Sequence, residues 1–204
     1  MSNFKLAKLI CCVLYLFLWE QAVFGQNSLQ TFNENRIKSS TRGMYILGSW
    51  SIANITYGTF GALTASGEAK YFHQMNAGWN AVNLVIAGFG LYQSRNEKPA
   101  DYNFQETLLK QQKLENAFLF NSALNFTYIT AGFLLKERSK NDLENYHRWQ
   151  GFGNSLIFQG GFLLGFDAIN FFIQRKRFTK DLMPMIDEIQ LSQAGLGLKW
   201  NIGK

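Results

Sequence analysis

The chain has 204 residues and a mass of 23.3 kDa, enough for one domain of ordinary size and too little for two comfortable ones. Charged residues make up 17% against roughly a quarter in soluble domains, while aromatics reach 16% and the hydrophobic class 47%, which argues against disorder; two prolines and 18 glycines exclude a proline-rich linker or a collagen-like repeat. The net charge of +6 comes from basic residues that flank apolar segments, not from one basic face interleaved with stacking aromatics, so no nucleic-acid partner is expected. A mean hydropathy of −0.11 averages very polar connections with nearly charge-free stretches.

Residues 1–25 read as a secretory signal peptide. Lys5 and Lys8 precede an apolar run from Leu9 to Trp19, and the small residue Gly25 follows with Val23 two places before it. Cleavage is expected after Gly25, with an uncleaved signal anchor as the alternative. Both cysteines, Cys11 and Cys12, lie in this segment. The processed chain would have neither disulfides, thiolate metal sites nor a cysteine nucleophile.

Four charge-poor segments follow. Residues 43–67, 71–94 and 116–135 hold no formal charge, and 149–174 hold only Asp167. Each reaches the roughly 20 residues that a helix rising about 1.5 Å per residue needs to cross a hydrocarbon core of about 30 Å. The fold predicted is all-α: an integral membrane four-helix bundle over 26–177, with helices at about 43–65, 71–94, 106–136 and 146–174. A soluble bundle is the alternative, at the cost of exposing Phe, Leu, Ile and Trp in quantity. Short polar connections around Ser66 and around Asn141 make two antiparallel hairpins, and the hydrophilic stretch Arg95 to Asp101 is the expected hinge between them. A polar tail, 178–204, closes the chain; its alternating end, 190–202, is a candidate strand.

The two hairpins look duplicated. Asn54, Thr56, Tyr57 and Thr59 recur as Asn125, Thr127, Tyr128 and Thr130 at an offset of 71, with Gly61 recurring as Gly132. At an offset of 74, His73, Asn76, Ala77 and Asn80 correspond to His147, Gln150, Gly151 and Asn154. Two matching blocks in one order indicate an internal repeat. Its copies would be related by a pseudo-twofold axis along the membrane normal, with both histidines at one depth.

The polar residues inside these spans are the candidate ligand-binding residues or polar core. At 100° per residue, His73, Asn76, Asn80 and Asn83 form one narrow stripe, Trp50, Asn54, Tyr57 and Gly61 a second, and Asn121, Asn125, Tyr128 and Gly132 a third. Interhelical hydrogen bonding explains them without a ligand. The sharper alternative takes His73 and His147 as facing imidazoles for a haem or a metal ion. Asp167, the one acid inside a span, is a functional candidate by default. It either pairs with Arg42 or Lys113 or handles protons or cations in a small transporter. The mature chain contains neither a phosphate-cradling glycine loop nor a nucleophile elbow. No catalytic residue or resident cofactor is therefore predicted.

A cleaved signal puts the mature amino terminus outside and the hairpin connections in the cytoplasm. Charge counting says the reverse: Lys70, Lys136, Arg138, Lys140 and Arg148 give five on the connection side against 13 on the other. Orientation stays open.

The run from Gly67 to Asn83, with its core Tyr71-Phe72-His73-Gln74-Met75-Asn76-Ala77-Gly78-Trp79-Asn80, resembles the signature of an uncharacterised family of small bacterial four-helix membrane proteins. Leu47 to Asn54 is similar to that family's first helix. The resemblance implies a four-span protein of the bacterial inner membrane and carries over no catalytic residues. Binding or assembly within the envelope, with the lipid bilayer and either further copies or other envelope proteins as partners, is the expected role in place of catalysis.

Overall fold

A computed structural model describes residues 2–187, with side chains from residue 27 onward. Among the described residues the fold is all-α and has no strand. Helix α1 spans Ser2–Thr64, α2 Gly67–Asn96, α3 Phe104–Ser139 and α4 Tyr146–Arg177. The candidate strand at 190–202 lies outside the described residues, and residues 2–25 are helical, continuous with the rest of α1.

The helices begin and end for local reasons. Between Gln26 and Arg42 there is neither glycine nor proline, so nothing stops α1 where its charges begin, and it enters far upstream of the expected residue 43. The reversal into α2 takes only Ala65 and Ser66, and Gly67 accepts φ +58°, a left-handed conformation that costs glycine little. Pro99 opens a 3₁₀ turn to Asp101, where its missing N–H is no loss. Asn103 then caps α3 reciprocally with Glu106, both bonds at 2.9 Å. In the longer α3–α4 connection Asp142 accepts from Trp149 Nε1 at 2.9 Å and from the Asn145 amide, hydrogen bonds that hold its carboxyl below the usual range.

The chain from 178 onward is not simply a polar tail. It continues as one π-turn, Phe178–Leu182, and a further helical turn to Asp187. Pro184 supplies the cause, because a proline ring cannot sit within regular i to i−4 bonding and the widened turn relieves it. Phe178 and Leu182 are buried there against Phe32 of α1.

Helices α1 and α2 are antiparallel, as are α3 and α4: Gly58 lies against Ala77 and Gly48 against Ala87 in the first pair, Gly132 against Gly153 in the second. The pairs meet through α2 and α4, which run parallel, since Gly151 touches the Glu68–Phe72 turn and Gln159 reaches Asn76 further along. A middle apolar layer gathers Leu47, Ala87, Phe118, Leu163 and Phe166, with residues from all four helices.

The pairing does not follow the offsets of the expected repeat. Gly61 lies under the His73 ring, whereas Gly132, 71 residues on, lies against Gly153 and Ile157, and His147 packs on Gly67. With six residues between α3 and α4 and two between α1 and α2, the second hairpin closes in a different register.

Candidate functional site

Burial in this fold is inverted. Among the described residues seventeen polar or charged side chains are buried against nine hydrophobic ones, while Val85 is 72% exposed, Phe60 69% and Phe133 58%. From residue 43 on, the buried positions of α1 follow the 3–4 spacing Gly43, Leu47, Ser51, Asn54, Gly58 and Gly61. This stripe is rotated from the expected one, so Tyr57 turns outward, 61% exposed, with only the edge of its ring on His73 at 4.7 Å.

Three helices meet in an amide network. Asn54 of α1 donates to the Trp50 carbonyl at 2.9 Å, and its Oδ1 accepts from Asn76 Nδ2 at 3.0 Å. Asn80 donates to the Asn76 carbonyl at 2.8 Å. Gln159 of α4 closes the network, donating to Asn76 Oδ1 while its own Oε1 accepts from Trp50 Nε1 at 3.1 Å. Sequence reasoning passed over Gln159. The spacing 155, 159, 163, 166, 170, 174 along α4 was the available signal, for all six positions are buried.

Asn83 is buried one turn beyond Asn80, and its Nδ2 finds no partner; Trp79 Nε1, His73 Nδ1 and Ser155 Oγ are likewise unpartnered. Trp79 sets its ring edge-on to the half-buried Tyr128 at 4.6 Å. Asp167 is not ion-paired with Arg42 or Lys113: Asn125 Nδ2 donates to its Oδ2 at 2.6 Å across α3 and α4. A short amide can reach across touching helices, and the backbone contact of Gly160 on the Asn125 carbonyl brings them close enough.

Other candidates sit nearer the hairpin connections. Asn154 donates to Glu68, and Gln150 donates to Ser139 Oγ at 2.8 Å, both half-buried. His147 is exposed. Thus His73 and His147 do not form a facing pair, the first lying on Gly61 and the second on Gly67. Among the described residues no three His, Cys, Asp or Glu side chains converge.

At the opposite end, Glu97 accepts from Arg36 Nη2 at 2.9 Å and from Lys110 Nζ at 3.4 Å. Asn33 donates to Thr107 Oγ1 at 2.7 Å, and Arg175 reaches Glu115 at 3.3 Å. The stretch expected to be a hinge is therefore clasped to α1 and α3 by a carboxylate that is only 13% exposed.

Between α1 and α4 runs a groove of about 700 Å³. Its walls are apolar along Ile46, Phe162, Ile169 and Ile173, and its mouth carries Lys38, Arg42 and Arg177. Burial, with Arg36 close by, draws the Arg177 guanidinium below its ordinary value, while Asp181 opposes the shift.

No curated protein and no solved structure matches the chain. A family model described as a family of unknown function (DUF6992) matches residues 46–168, from the apolar end of the groove at Ile46 through the amide network to just past Asp167. With more than half of its length matched, the chain belongs to that family.

Proposed function

We propose that this protein is a four-span integral membrane protein that serves as a binding or structural component of the bacterial envelope, in the inner membrane, and not as a catalyst. The carrying observation is the inverted burial: amides and hydroxyls inside, bulky apolar side chains outside. In water such a surface is a liability, whereas hydrocarbon solvates it and pushes polar groups toward one another. Helices α3 and α4 are long and apolar enough to cross a membrane. α2 gains its polarity from its buried asparagines, and its outward face carries Val82, Val85, Ile86 and Phe89. On α1 the exposed apolar side chains run from Tyr45 to Leu63, about 27 Å of helix, close to the thickness of a hydrocarbon core.

Small residues at every interface agree with packing in lipid. Asp167 accepts a hydrogen bond from Asn125 and does not line the groove, so the groove does not lead a transported ion to it. Alkaline carbonate washing of membranes from cells expressing the full chain tests the proposal, together with the single variants Val85→Cys, Phe133→Cys and Lys140→Cys in a background lacking Cys11 and Cys12. The protein is expected to stay in the pellet, with the Lys140→Cys thiol labelled by a water-soluble maleimide and the other two protected until detergent is added. Release as a folded, soluble particle, or equal labelling at all three sites, would overturn it.

A further inference from the structure

The groove between α1 and α4 combines an apolar lining with a cationic mouth. Gly161 and Gly165 line its open side without filling it: both are exposed, and a Cβ built on either finds no atom within 4 Å. Among the described residues the only acid acting on the mouth is Asp181, which lies off the groove and acts on Arg177. Lys38 and Arg42 stand one helical turn apart on α1, with Arg177 opposite on α4, and no carboxylate lines the groove. Among the described residues none of these three makes a salt bridge, whereas Arg36, Lys110 and Arg175 nearby each hold a glutamate. The cations lie at the rim of the outward apolar surface, just before Tyr45 on α1 and after Ile173 on α4. The apolar walls extend from there toward its middle.

We propose that this groove holds one anionic phospholipid of the surrounding bilayer, its phosphate at Lys38, Arg42 and Arg177 and an acyl chain along Ile46, Ile169 and Ile173. The inference rests on the membrane reading. A charged mouth on an apolar slot fits an amphiphile whose charge and chain are joined, and neither a free anion nor an uncharged lipid satisfies both parts. Basic pockets between helices at the membrane surface select anionic head groups, at about fivefold in affinity per cation.

The test uses the full chain reconstituted into vesicles holding equal phosphatidylglycerol and phosphatidylcholine, then extracted in mild detergent with the retained lipid identified by mass spectrometry. Wild type is expected to retain phosphatidylglycerol preferentially. Lys38→Gln with Arg42→Gln should lower that enrichment by about fivefold for each charge removed. Gly165→Leu, which fills the slot without meeting protein, should lower retention of both lipids, and Gly161→Leu offers the same reading from a second position. Lys70→Gln with Arg148→Gln, at the opposite rim, should leave the enrichment in place.

Equal retention of the two lipids by wild type would overturn the proposal while membrane insertion stands. So would an enrichment that survives both the charge and the glycine variants, or that inorganic phosphate abolishes at matched ionic strength. A chain that enters no vesicle of either lipid would remove the membrane reading and the lipid site together.

Discussion

Asn76 is the residue on which three helices depend. It donates to Asn54 at 3.0 Å, accepts from Gln159, and offers its carbonyl to Asn80 at 2.8 Å. On the proposed membrane reading, hydrogen bonds between helices average only about 0.6 kcal/mol each, so no single bond fixes the fold. Asn76→Leu removes the side-chain bonds to Asn54 and Gln159, with the longer ones to the Asn54 carbonyl and from Asn80, and leaves the Asn54 and Gln159 amides facing an alkyl group. The expected loss is about 1 to 2 kcal/mol, measured as an earlier midpoint in SDS titration of the folded protein. Tyr57, in the sequence-derived stripe but outside the buried one, should tolerate Tyr57→Phe with no measurable shift.

At the scale of the helix, contact is made by what is missing. A Cβ on Gly132 would stand 2.7 Å from the Gly153 carbonyl oxygen, and one on Gly58 would stand 2.8 Å from that of His73. Both opposing atoms belong to backbone, which cannot turn aside as a side chain can. Gly132→Ala is therefore expected to cost about 1 to 3 kcal/mol. Gly88→Ala, whose Cβ would meet nothing, is expected to be neutral or to stabilise by up to about 1 kcal/mol. Thermal midpoints of the two variants in one detergent compare them directly.

The same scale explains how much could be read from the residues alone. Four helices were legible because each charge-free stretch is long enough to span. The buried asparagines of α2 were legible because Asn76, Asn80 and Asn83 repeat at three and four. The stripe on α1 was legible only in part: choosing polar and aromatic residues selected 50, 54, 57 and 61, of which the fold buries Asn54 and Gly61, while it also buries Leu47, Ser51 and Gly58 and mixes apolar with polar along one line. The Asp167 partner was hidden for a different reason. Pattern identifies an acid and the cations that end nearby helices, but an amide on α3 wins by distance, and distance follows from helix register.

For the whole molecule, Glu97 joins the two hairpins. It belongs to the connection between α2 and α3 yet binds Arg36 of α1 and Lys110 of α3. Removing the acid leaves the nearly buried Arg36, 5% exposed, without its counterion. An unpaired buried charge costs several times more than a surface pair is worth. Glu97→Ala is expected to destabilise by about 3 kcal/mol, and chemical denaturation monitored by far-ultraviolet circular dichroism would measure it. Glu137→Ala, which breaks an exposed pair with Lys140, should change stability by less than about 1 kcal/mol.

The α2–α4 seam constrains how the protein can move. Gly151 presses directly on the main chain of the Glu68–Phe72 turn, and side-chain hydrogen bonds from Gln159 to Asn76 and from Asn154 to Glu68 cross the same seam. Sliding there would have to break main-chain packing outright. Rocking of one hairpin against the other is thereby disfavoured, and at the far end Asn33 on Thr107 and the Glu97 clasp tie α1 to α3 as well, so the two hairpins are pinned at both ends.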